Sequence, residues 1–95
     1  MEKTVLISVT EAEQKAQIAK AIVSREQEIV YYETNISNYE TALRNPALLP
    51  ENAKRLADLL AGEIREHNLV MAIYDVLKAQ IPKNELIAAV MAAKT

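Results

Sequence analysis

Residues 18–43, IAKAIVSREQEIVYYETNISNYETAL, carry the pattern that decides the fold. Ile18, Ile22, Arg25, Ile29, Tyr32, Ile36, Tyr39 and Leu43 recur there at alternating steps of four and three residues. That spacing keeps one stripe turned toward a neighbour for several heptads, which is how helices pack in coiled coils and bundles. Val30, Tyr31 and Tyr32 favour strands locally, but the heptad continues through them and the helical reading prevails. Upstream, Thr10 and Glu13 have capping-box spacing, so a helix begins near Glu11. Downstream nothing stops it before Asn45 and Pro46, because the intervening stretch has neither Gly nor Pro. The expected helix, residues 11–44, is about 50 Å long.

Pro50 and Glu51 suit the first turn of a second helix, expected over residues 51–80 and ended by Pro82. Gly62 lies in its interior, where glycine costs about 1 kcal/mol relative to alanine, so the expectation is a close helix crossing or a slight bend. Asn84 is read as the cap of a short third helix, residues 84–94, with Leu86, Ile87, Val90 and Met91 on one face. The short connection at 45–49 makes the first two helices antiparallel neighbours. Residues 1–10 are expected to form an extended arm, with Val5, Leu6, Ile7 and Val9 strand-prone but lacking an internal strand to pair with.

The fold class is therefore all-α, in one helical domain spanning residues 1–95. Its architecture is a long antiparallel helical hairpin plus a short C-terminal helix, completed as a helical bundle by oligomerisation. The oligomer enters because a rod of about 50 Å exceeds a compact 95-residue domain, whose radius of gyration is about 12 Å. Ala16, Val23 and Val30 beside the main stripe, and the broad apolar face of the second helix, also leave surface for a partner. The expected interface residues are Ile22, Ile29, Tyr32, Ile36, Tyr39, Leu86, Ile87, Val90 and Met91.

Composition narrows the chemistry. With 13 acidic and 11 basic residues the net charge is -2, which argues against a general nucleic-acid surface. The absence of cysteine excludes disulfides and thiolate metal sites and fits a reducing compartment. The richest apolar stretch, residues 69–81, is broken by Asp75 and Lys78 and falls short of the roughly 20 residues that span a bilayer. The expectation is a soluble, cytoplasmic protein that meets neither membrane nor nucleic acid.

One glycine cannot build a phosphate-cradling loop. Serine catalysis would need Ser8, Ser24 or Ser37 beside His67, which the sequence spacing does not provide. Glu63 and His67, four apart on one helix face, are the candidate metal ligands, with Glu26, Glu33 and Glu40 at heptad spacing across the hairpin. Ferritin-like di-iron bundles instead place histidine three residues after glutamate. Here Ile64 stands three before His67.

Arg25, a charge on the seam, either fixes helix register or, with Lys20, Tyr31 and Tyr32, grips an anion or nucleotide at a subunit interface. The leading expectation is a non-enzymatic protein-binding module, acting as regulator, inhibitor or adaptor through helical surfaces and needing no cofactor. A ligand-sequestering oligomer using Lys20, Arg25 and the tyrosines is the second reading. A metal-binding bundle centred on Glu63 and His67 is the third.

Overall fold

The computed structural model describes residues 10–95, which form three helices and no strand. α1 is Glu11–Leu43, α2 is Pro50–Ala79 and α3 is Lys83–Ala93. All but Thr10 of the expected N-terminal arm lies outside the described residues. Each helix begins and ends within one residue of its expected position. The α1 start is the capping box read from the sequence: the Thr10 hydroxyl oxygen accepts from the Glu13 amide at 3.1 Å, and the Glu13 carboxylate accepts from the Thr10 amide at 3.0 Å. The Thr10 amide, and then the Thr10 hydroxyl, which also donates to the Glu13 carboxylate, hold that carboxyl below its ordinary range.

Asn45–Leu48 closes a turn in which the Leu48 amide donates to the Asn45 carbonyl at 3.1 Å and the Asn45 side chain accepts from the Ala47 amide at 3.0 Å. Pro46 presets the turn's second position, and Pro50 then occupies the first turn of α2, where a missing N–H loses nothing. α1 and α2 therefore run antiparallel as a hairpin. α3 folds back onto α1 and runs parallel to it, as shown by Lys15 pairing with Glu85 and Lys94 pairing with Glu26. One end of the molecule thus has three helices and the other two. A radius of gyration of 19.7 Å, against about 12 Å for a compact chain of this length, reflects the rod.

The core sits at the three-helix end. Ala19, Ile22 and Ile81 are buried there, with Tyr74, Leu77, Leu86 and Val90 packed around them. Ile29 and Val70 add a smaller buried contact along the hairpin. The seam residues Ile22, Ile29, Tyr32, Ile36 and Tyr39 are all buried or half-buried on the hairpin side of α1. No helix among the described residues is long and apolar enough to cross a membrane.

One local expectation is corrected, and two positions gain detail. Asn84 does not cap α3: Pro82, with φ −55° and ψ 139°, takes the cap position without a side-chain bond, and the helix starts at Lys83. The fixed proline φ already turns the chain into the helix. Gly62 marks no close crossing within the chain, since a Cβ built on it would meet only the Arg65 guanidinium at 3.9 Å. Of the four large side chains on one face of α3, Leu86 and Val90 pack against the core. The helix buries the i, i+3, i+4, i+7 set Leu86, Ala89, Val90 and Ala93, whose two alanines permit close approach to α1. Ile87 and Met91 are left 78% and 60% exposed.

Candidate functional site

Where the three helices meet, their surface is concave. A groove of about 310 Å³ has Ile22, Leu86 and Val90 as its floor and Ile87 and Met91 as one wall. Its position follows from the docking of α3 through small residues: Ala89 and Ala93 draw the helix onto α1, which tips the larger Ile87 and Met91 outward. Ile87 and Met91 thus form an exposed apolar edge along the groove.

The rim is polar and ties all three helices together. The Tyr74 hydroxyl of α2 donates to Glu26 Oε2 of α1 at 3.1 Å, and Lys94 Nζ, at the end of α3, stands 3.6 Å from Glu26 Oε1. Lys78 Nζ lies 4.5 Å from the centre of the Tyr74 ring, a cation–π contact. Burial first, and then the Glu26 hydrogen bond and charge, push the Tyr74 phenol above its ordinary pKa. One carboxylate therefore serves both a phenol and an ammonium, leaving the second ammonium unneutralised by it. Among the residues lining the groove, two lysines, Lys78 and Lys94, stand with one carboxylate, Glu26.

A second cleft of about 320 Å³ runs between α1 and α3 on the far side of α3, lined by Ala12, Ala16, Ala89, Ala92 and Ala93 with Lys15 and Lys20. Lys15 is held by Glu85, whose hydrogen bond and charge raise the lysine pKa.

The anion-site residues do not converge. Lys20 lines the α1–α3 cleft, and Arg25 Nη2 is taken by Glu28 of its own helix at 2.8 Å, with Arg25 Nε buried and without a partner. Tyr31 and Tyr32 meet edge to face with centroids 5.3 Å apart, Tyr31 exposed and Tyr32 half-buried. Glu63 and His67 also part company: Glu63 accepts from Asn35 Nδ2 at 3.3 Å, while His67 Nε2 lies 3.3 Å from Glu33 Oε2. Among the described residues no group of three or more His, Cys, Asp or Glu is placed to hold a metal ion. Both pairs act as polar rungs across the hairpin.

Of the groove, Ile22, Leu86, Ile87, Val90 and Met91 are among the residues expected at an interface. Lys78 and Lys94 were not, because charged residues carry no periodic signal and only the fold brings them to one rim. Ile81, buried in the core, was also missed, since it lies between a helix end and a proline where periodicity is silent. No family model matches the chain, and neither a curated protein nor a solved structure matches it.

Proposed function

We propose that the protein is a small non-enzymatic binding module that regulates, inhibits or tethers a partner protein by taking an amphipathic helix into the α1–α2–α3 groove. The observation that carries this reading is the pairing of an exposed apolar wall, Ile87 and Met91, with a rim on which two lysines face one carboxylate. An amphipathic helix fills a groove through apolar residues at i, i+3 or i+4, and i+7. Acidic flanks on that helix would complement Lys78 and Lys94, which favours association kinetics and specificity more than raw affinity. Methionine on the wall suits a surface that adapts to its ligand.

Selection of a displayed library of helical peptides against the full chain tests the reading. Enriched sequences should combine helical apolar spacing with Asp or Glu on one flank, and should lose binding to the doubly substituted Ile87→Asp, Met91→Asp protein. Enrichment of basic or non-helical peptides, or binders indifferent to that substitution, would overturn the proposal.

A further inference from the structure

α2 carries a second seam, separate from the groove. Leu59, Gly62, Glu66, Leu69, Ile73 and Val76 follow one another at steps of three, four, three, four and three residues, the a/d spacing of a coiled coil. This stripe is not the one that meets α1: the hairpin side of α2 is formed by Leu56, Leu60, Glu63, His67, Val70, Tyr74 and Leu77, all buried or half-buried. The second stripe is rotated from that side in the direction opposite to Met71 and Lys78, which border the α3 groove region. Leu59, Leu69, Ile73 and Val76 remain 39–61% exposed.

Three observations identify what covers it. The spacing is that of a helix-to-helix contact, so the occupant is a helix. The stripe also complements itself. With two copies of α2 antiparallel and the two-fold axis beside residues 67 and 68, a positions face d positions: Leu59 meets Val76 of the second copy and Ile73 meets its Gly62, while the exposed Glu66 falls opposite Leu69 and keeps its carboxylate in water at the edge of the seam. A parallel pairing would instead set glutamate against glutamate and glycine against glycine. Gly62 then has a role that the single chain does not give it, since within the chain a Cβ there would touch only the flexible end of Arg65, at 3.9 Å, so that no intrachain contact requires a glycine, whereas a bare Cα lets a facing helix approach closely.

We propose that the protein is a homodimer joined through α2, packed antiparallel across Leu59, Gly62, Leu69, Ile73 and Val76, with the α3 groove of each copy left free. The dimer thereby presents two grooves.

Sedimentation equilibrium of the full chain at micromolar concentration tests this. The unsubstituted protein should have the mass of a dimer, and Leu69→Glu with Val76→Glu should give a folded monomer. Ile87→Glu with Met91→Glu, on the groove wall, should remain dimeric. Gly62→Leu guards against simple misfolding, because leucine is the better helix former and the atom nearest to a Cβ at this position is the far end of the flexible Arg65 side chain, at 3.9 Å. It should weaken dimerisation by at least about tenfold while keeping full helical circular dichroism. A monomeric unsubstituted protein, a dimer unaffected by the Leu69 and Val76 substitutions, or a Gly62→Leu dimer of undiminished affinity would each overturn the proposal.

Discussion

Glu26 shows how one residue joins the three helices, and the consequences of disturbing it are specific. It accepts the Tyr74 hydroxyl and faces the Lys94 ammonium, so Tyr74→Phe removes one hydrogen bond and leaves the ring in place. The expected loss is about 1 kcal/mol, read as a lower midpoint in urea denaturation with unchanged slope. Ile22 sets the contrasting case. It is the largest fully buried side chain among the described residues, so Ile22→Ala should cost about 2–5 kcal/mol. Gln27→Ala, on the exposed side of the same helix, should fall within about 0.5 kcal/mol of zero. Tyr74 and Lys15 also fix a pH dependence. Both pKa values are raised in the folded chain, Tyr74 by burial and Glu26, Lys15 by its bond to Glu85. Groups raised in this way stabilise fully below their unfolded pKa and lose that contribution as pH rises through the folded value. The melting temperature should therefore fall as pH rises above about 10, and Tyr74→Phe should blunt the fall. An alkaline profile identical in the two proteins would show that Tyr74 contributes nothing to it.

At the scale of elements, what the sequence disclosed follows the strength of each local signal. α1 was legible because its heptad runs without a Gly or Pro and its capping box is complete, and the hairpin was legible from Pro46 and Pro50. The docking mode of α3 was not. Hydrophobic patterning weights large side chains, whereas the contact was decided by Ala89 and Ala93, whose small size sets how closely α3 approaches α1. Hence Ile87 and Met91 became groove wall. The groove itself was half visible: its apolar residues stood out, and the meeting of Lys94 with Lys78 and Glu26 on one rim depended on α3 running parallel to α1, which no local pattern encodes. Truncation after Pro82 tests the division of labour. It uncovers Ala19 and Ile22 and should lower stability by about 3 kcal/mol. The remaining chain should stay helical by circular dichroism and lose peptide binding, because α3 supplies most of the groove. Retained binding would assign recognition to α1 and α2 alone.

Over the whole molecule, stability should be graded along the rod. Every buried residue among those described, Ala19, Ile22, Ile29, Val70 and Ile81, lies at or near the three-helix end. Toward the turn the seam continues through Ile36, Tyr39, Leu43, Leu56 and Leu60, but two helices alone leave each of these half-exposed. Polar rungs, Asn35 with Glu63 and Glu33 with His67, replace apolar contacts midway and add little stability at partly exposed positions. Local opening therefore costs least at the tip and most where α3 covers α1. Antiparallel pairing of α2 through residues 59–76 would not change that order, since it stops short of the turn. Native-state hydrogen exchange should find amides at residues 38–56 exchanging roughly a hundredfold faster than those at residues 18–29 and 70–77, a difference of about 2.7 kcal/mol in opening free energy. Uniform protection along α1 would mean that the far end of the hairpin is also covered, and would place a further contact on the tip.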